Sequence, residues 1–431
     1  MPRKSAAPVS ATLFAYQVGF GDCFLLRFTY ADARPRHILI DFGTTGLTVK
    51  SPADQMKRIA EDITAKCGGK LDVVVATHRH ADHISGFATR DGSASGDIIR
   101  ALRPSVVLQP WTEAPDAPID SLGPDPAADH KAFGSRRQAL AMMERTAGLA
   151  VQAVDAGRFG RNKALAEQIR FIGEDNISNR SAVENLMTMG KRNAYVFHGC
   201  DPGLGKELPG VGITVLGPPT LRQTDSIRKQ RARDIDEFWH LAPQRFAGGL
   251  DETAAGKLFP GFPTAPANRL WTEQRWVAER IDNVNGDLML GLVRALDAQM
   301  NNTSVILLFK AGSKSLLFPG DAQLENWRYA LQSPLAKLLD DVDLYKVGHH
   351  GSLNATPKSM WNRFAKKGPK AKKNRLRSVM STRDGKHGHT ASGTEVPRSK
   401  LVSELSSQST LIDTRELPED ALYSVVEIDL R

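Results

Sequence analysis

Apolar positions along this chain of 431 residues come mostly in short runs, and their period changes from two to about 3.6 several times. Near the start, "TLFAYQV" and "CFLLRFTY" read as two strands around a "GFGD" turn, which predicts a hairpin. "RHILIDFG" reads as a third strand, ending at Asp41 and Gly43. Residues 51–66 show helical spacing, and Ser51-Pro52 predicts an N-cap followed by proline at the first helical position. "LDVVVAT" is a nearly unbroken apolar run, as expected of a strand covered on both faces, and "PSVVLQPW" reads the same way.

Past Thr112 the pattern weakens. Residues 112–193 open on a Pro/Asp-rich stretch and continue as polar, helix-like sequence. Strands return at "AYVFHG" and "GVGITVLGPP". A second helical, charged stretch spans 221–300 and holds Trp239, Trp271 and Trp276. "TSVILLFKAGSKSLLFPGDAQ" predicts a strand pair with a short turn, and "DVDLYKVGHHGS" another strand. Residues 377–431 read as strand, loop, helix, strand. No internal repeat of fixed short period is evident. Each half thus supplies a β-rich set with interspersed helices, which predicts an α/β domain of two sheets packed face to face with helices outside. The expected organisation is one domain over 1–431 carrying two largely helical insertions, 112–193 and 221–300.

Composition narrows the class only a little. The chain is 41% hydrophobic and 24% charged, ordinary for a globular protein. It holds no run of 18 or more apolar residues, so no membrane span is expected. The N-terminus is basic without an apolar core, so a cleaved leader is not expected either. Three scattered cysteines, Cys23, Cys67 and Cys200, do not make a disulfide framework, and a cytoplasmic setting is the default. Net charge is +9, and the excess concentrates in "IRKQRAR" (227–233) and "KKGPKAKKNRLR" (366–377). Either cluster reads as a solvated face or as a patch that tracks phosphates.

The chemistry concentrates in "THRHADHISGF". His78, His80, Asp82 and His83 form HxHxDH directly after a strand. Alternation in an extended segment would send residues 78, 80 and 82 one way and His83 another. One loop could then serve two adjacent metals, His78 and His80 on one and Asp82 and His83 on the other. A two-metal site needs further ligands. Asp321 ends the strand of "LLFPGDA" and is a candidate ligand, a helix N-cap, or both. His349 and His350 end the strand of "LYKVGHHGS", one expected as a ligand and the other beside it.

These pieces, with "VGFGDCFLLRF", "ILIDFG", "VLGPP", "NNTSVILLF" and, loosely, "GKHGHTASG", occur in an order that resembles the metallo-β-lactamase superfamily. More narrowly, they resemble the soluble hydrolase domain of ComEC-type DNA-uptake proteins. The resemblance spans roughly residues 12–395 and leaves both insertions without a counterpart. It implies a metallo-β-lactamase-like αββα sandwich with two divalent metal ions, Zn or Mn, at the sheet edges. By it, Asp41 orients the loop without ligating, Asp321 bridges the metals, and His349 or His350 completes the second. Many hydrolytic members carry another histidine between the HxHxDH loop and the Gly-Asp strand. Of His130, His198 and His240, only His198 follows a strand, so it is taken as a ligand. ComEC-type domains often lack that histidine. Without it the shell is richer in oxygen, which favours Mn²⁺ over Zn²⁺.

The expected function is a metal-dependent hydrolase, a phosphodiesterase or nuclease, with Asp82 and Asp321 catalytic. His389, or His387, would assist the leaving group or grip a phosphate. Ser352 and Asn354 would donate to a phosphate oxygen or cap their loop. The expected partner is a nucleic acid or another phosphodiester. Two other readings stand beside it: hydrolysis of a lactone, thioester or cyclic phosphodiester, and a scaffold that meets a partner protein through its insertions.

Overall fold

A computed structural model describes residues 7–114, 152–157, 166, 180–220, 222–224, 301–352, 355–386, 395–418 and 421–431. Most of both insertions, with Trp239, Trp271, Trp276, His130, His240 and the basic run 227–233, lies outside the described residues. So do Asn354, His387 and His389.

The opening hairpin forms as predicted: β1 (Ser10–Tyr16) pairs antiparallel with β2 (Cys23–Thr29), which pairs with β3 (Arg36–Phe42). The short strands β4 (Val73–Val75), β5 (Val106–Pro110) and β6 (Arg192–Val196) then continue the sheet in parallel. The second sheet begins with β7 (Val211–Gly217), β8 (Ile306–Ala311) and β9 (Lys314–Phe318), antiparallel to one another. It continues in parallel through β10 (Leu344–Lys346), β11 (Arg377–Met380) and β12 (Thr410–Asp413). The last strand, β13 (Tyr423–Asp429), crosses back to the first sheet and pairs with β1. The expected strand–loop–helix–strand ending therefore holds three strands, β11 and β12 in the second sheet and β13 in the first. Four-residue β12 is only partly apolar and has no clear alternation to announce it.

Period-two alternation sorts the side chains into layers. Phe24, Leu26, Phe28, Ile38, Ile40, Val73 and Val75 face Leu307, Phe309, Leu316 and Phe318 of the other sheet. Phe24 meets Phe318 and Phe28 meets Phe309 across that interface. The outer face of the first sheet packs on α1 (Gln55–Cys67), α3 (Ser95–Ala101) and α4 (Arg180–Thr188), with the one-turn α2 (Ala81–Ile84) between α1 and α3 in the chain. The outer face of the second packs on α5 (Leu324–Gln332), α6 (Lys358–Trp361) and α7 (Ser399–Gln408). The order of layers is helix, sheet, sheet, helix. Each fully buried leucine or phenylalanine contributes about 1.5–3 kcal/mol to such a core.

Helix α1 starts later than Ser51-Pro52 predicts. Those residues form a turn instead, with the Ser51 amide donating to Thr48 O (3.0 Å) and Gln55 beginning the helix. Ile59, Ala60, Ile63 and Cys67 then fall on the buried face, and Gly68, left-handed at φ 57°, closes the helix. Cys23, Cys67 and Cys200 are all free thiols. Among the described residues no helix is long and apolar enough to cross a membrane.

One polar cluster sits at the N-terminal end of β3. Asp72 accepts from the His37 amide (3.0 Å) and pairs with Arg34 and Arg36. The His37 ring is 3% exposed and neither nitrogen has a hydrogen bond. Burial pushes its imidazole down to about 4 from 6.5, against the pull of Asp72. Neutral in the fold, it protonates on unfolding, so stability is lost as pH falls from 6.5 toward about 4. Each tenfold in proton affinity is worth about 1.4 kcal/mol, so the loss is about 3 kcal/mol. Urea unfolding of the wild type and His37→Leu at about pH 7 and about pH 4 measures it. The variant is expected to lack that part of the acid loss, and an equal loss in both would count against it.

Candidate metal centre

Both sheets deliver their functional residues to one edge because the carboxyl ends of parallel strands share it. Strands β3 and β4 run parallel, as do β9 and β10. Strand β2 runs against β3, so its first residue, Cys23, lies opposite Phe42, and the preceding Asp22 reaches the same edge.

Asp41 is left-handed at φ 55°. Its Oδ1 accepts from the Thr77 amide and its Oδ2 from the Thr77 hydroxyl, both at 2.7 Å. Oδ2 also accepts from His83 Nδ1 (2.8 Å). Both oxygens are thus occupied in holding the loop after β4, and His83 is turned to present Nε2.

That loop does not continue extended. After His80 it winds into the one-turn helix α2 (Ala81–Ile84), so Asp82 and His83 project from a helical turn and not from alternating faces. The turn rests on backbone. The Asp22 amide donates to Asp82 O and the Gly43 amide to Asp22 O, both at 3.0 Å. A Cβ on Gly43 would lie 2.5 Å from the Asp82 and His83 main chain, and one on Gly21 2.7 Å from Asp82 O. Only glycine leaves room for α2 at this depth.

The second sheet meets this loop from the other side. Gly320, at φ 55°, brings the chain so close that a Cβ would lie 2.7 Å from the Thr77 side chain. Asp321 follows, its amide donating to Ser304 Oγ (3.3 Å). It does not cap α5, whose N-cap position is Gln323. Asp321 Oδ1 accepts from the His349 amide (3.0 Å), which leaves Oδ2 turned to the histidines. His349 and His350 are both left-handed, at φ 43° and 51°. This conformation is uncommon outside glycine and clusters at functional sites. His350 Nδ1 donates to Ser381 O (3.0 Å), and its Nε2 faces Asp82 Oδ2 at 2.8 Å.

Two overlapping groups result, each close enough to hold a metal ion: His78, His80 and Asp82; and Asp82, His83, Asp321 and His350. Asp82 belongs to both, where the sequence pattern predicted a clean division. Within the first, His78 Nε2 and His80 Nδ1 face each other 3.0 Å apart. Within the second, His83 Nε2 lies 3.1 Å and His350 Nε2 3.6 Å from Asp321 Oδ2. Asp82 Oδ1 is buried without a hydrogen bond, and His83 Nε2 and Asp321 Oδ2 have only ion-pair contacts, the shortest being their mutual 3.1 Å. Buried polar atoms of this kind demand a partner, and a cation suits imidazole nitrogens and carboxylate oxygens together. Burial pushes His80 down to about 4 and holds His78 below its ordinary value, so both are neutral donors. Burial alone would raise Asp82 and Asp321, but the neighbouring imidazoles outweigh it and hold both carboxylates below their usual range.

His198, expected as a ligand, is in neither group. Its Nδ1 bonds Leu216 O (2.7 Å), its Nε2 bonds Ser333 Oγ (2.9 Å), and its ring packs edge-on against Tyr329. It ties the segment after β6 to β7 and to the turn after α5, work that looks the same as ligation in a strand-end sequence. Of the histidine pair, His350 joins the cluster. The His349 side chain is 27% exposed and its Nε2 is 4.0 Å from Asp321 Oδ2. The basic run 366–377 does not line the site. Arg377 pairs with Leu344 at the start of β10, the end away from His349. Its side chains mostly bind their own neighbourhood: Lys366 pairs with Asp341 and Asp343, and Arg375 donates to the carbonyls of Gly368, Ser406 and Ser407.

Two site residues escape a sequence reading. Asp22 looks like a turn residue in "GFGD", yet it is fully buried. Lys346 lies in an apolar strand and is 2% exposed. Its Nζ pairs with Asp22 Oδ2 and lies 3.2 Å from Gly320 O and 3.5 Å from Asp321 Oδ1. Burial works against its charge, but Asp22 and Asp321 outweigh it and hold the ammonium above its ordinary value. The one available signal is a lysine inside "LYKVG", which requires a buried counter-charge that the sequence does not locate. No protein-family model matches this chain, and neither does any curated protein.

Proposed function

We propose that the chain is a metal-dependent hydrolase with a metallo-β-lactamase-like site of two adjacent divalent ions, zinc or manganese, and that its substrates are phosphodiesters, nucleic acid foremost. The observation that carries this reading is the shared Asp82. One carboxylate belongs to two groups of buried imidazoles and carboxylates, its Oδ1 has no hydrogen bond, and His83 Nε2 and Asp321 Oδ2 have only ion-pair contacts. Divalent ions held there would supply Lewis acidity and lower the pKa of a water molecule. The chain's own residues do the rest. Asp41 and Ser381 hold the His83 and His350 rings by Nδ1. Asp82 and Asp321 orient what binds between the groups. His349, partly exposed beside Asp321, is placed to touch substrate or pass a proton to a leaving group. The motif resemblance and the net charge of +9 support an anionic substrate.

The test is cleavage by full-length protein stripped with chelator and reloaded with Mn²⁺ or Zn²⁺. Single-stranded DNA, duplex DNA, RNA and a bis-aryl phosphodiester are offered in parallel. Metal-dependent cleavage of a nucleic acid is expected. Turnover of the small diester alone would move the substrate to small molecules. Full metal occupancy with no phosphodiester cleaved would overturn the reading.

A further inference from the structure

A third group, Asp22, Asp41 and His83, also lies close enough to hold an ion, behind the two that share Asp82. Most of its acceptors are already engaged, Asp22 Oδ1 being the exception. Asp41 is bonded through both oxygens by Thr77 and His83. Asp22 is paired with the Lys346 ammonium. Lys346 also reaches Asp321, but only by Oδ1, the oxygen that the His349 amide binds. The other oxygen, Oδ2, faces the His83 and His350 rings, at 3.1 and 3.6 Å.

We propose that Lys346 is a positioning residue of the metal centre, a built-in cation that closes the inner group and turns Asp321 so that Oδ2 alone faces a divalent ion. The proposal rests on the metal-hydrolase reading above. Charge supports it. Asp22, Asp41, Asp82 and Asp321 place four carboxylates in one buried region, which is costly unless each is paired or hydrogen-bonded. An ammonium on the inner side neutralises one charge without using any outer ligand atom. It also ends the strand that leads into the His349–His350 turn.

The experiment is titration of chelator-stripped, full-length protein with Mn²⁺ by calorimetry, with thermal melting as the check on folding. The variants are Lys346→Met, Asp22→Asn, and the two together. Lys346→Met alone leaves Asp22 buried and unpaired and is expected to fold poorly. The double variant removes the pair as a whole and is expected to fold, yet to bind Mn²⁺ roughly 10- to 100-fold more weakly, the usual cost of losing an outer partner of a ligand. Asp22→Asn keeps its shape but frees the ammonium to compete for Asp321, so weaker binding is expected there too. A folded double variant with wild-type affinity would reduce Lys346 to packing and overturn the proposal. Should the double variant not fold, unchanged affinity in Asp22→Asn overturns it equally. If wild-type protein binds neither Mn²⁺ nor Zn²⁺, the metal-centre reading itself fails, an outcome these variants do not mimic.

Discussion

Asp321→Ala is expected to abolish metal-dependent hydrolysis, by about 10³-fold or more, while leaving a folded protein. The residue presents one carboxylate oxygen to His83 and His350 and ties its other oxygen to the His349 amide. Its removal costs the second group a ligand and lets the His349–His350 turn move. A misplacement of about 1 Å near the reacting atoms can alone cost roughly 100-fold, and a lost ligand adds to it. Stability gives an independent readout. A ligand that binds only the folded state at about 1,000 times its Kd stabilises by about 4 kcal/mol. Wild-type protein should therefore melt higher with Mn²⁺ or Zn²⁺ than with chelator, and Asp321→Ala should lose most of that difference. A variant that keeps both activity and the metal-induced rise would remove Asp321 from the centre.

Gly43→Ala should be nearly as damaging, although Gly43 carries no ligand. The added methyl would lie 2.5 Å from the main chain of Asp82 and His83, where no flexible side chain can give way. Overpacking of this kind costs about 1–3 kcal/mol of stability. The cheapest relief is an outward shift of α2, which carries Asp82 and His83 away from Asp321. Metal affinity and turnover are expected to fall together, turnover by about 100-fold or more. A useful comparison is Gly68→Ala, where a Cβ meets nothing within 4 Å. Its left-handed backbone predicts a stability cost of about 1 kcal/mol with metal binding intact. Equal metal affinity in Gly43→Ala and wild type would show that α2 is not held by this contact.

How much of this was legible in the sequence follows from how local each feature is. HxHxDH lies within six residues, and the strands before it, before Asp321 and before His349 are marked by apolar runs that need no partner to recognise. Two sheets with outer helices follow from the same runs. What required the fold was anything defined by two distant segments. Asp22 and Lys346 are 324 positions apart, and each alone resembles a common surface residue. His198 and His350 both follow strands, and only their ring partners distinguish a latch from a ligand. The turn at α2 was also hidden, since the residue spacing suits an extended loop as well as a helix, and the glycines that decide between them flank other strands.

The return of β13 to the first sheet has a kinetic side. Ser10 pairs with Asp429, so the sheet that opens the chain is completed by residues more than 400 positions away. The candidate metal centre is also non-local, joining Asp82 and His83 to Asp321 and His350. Contacts of such separation form late, because loop closure must be met before they contribute. Until β13 docks, β1 has one open edge, and an unpaired edge strand is a template for intermolecular pairing. Slow refolding, with loss to aggregation that grows with protein concentration, is the natural consequence of a sheet whose first and last strands are neighbours.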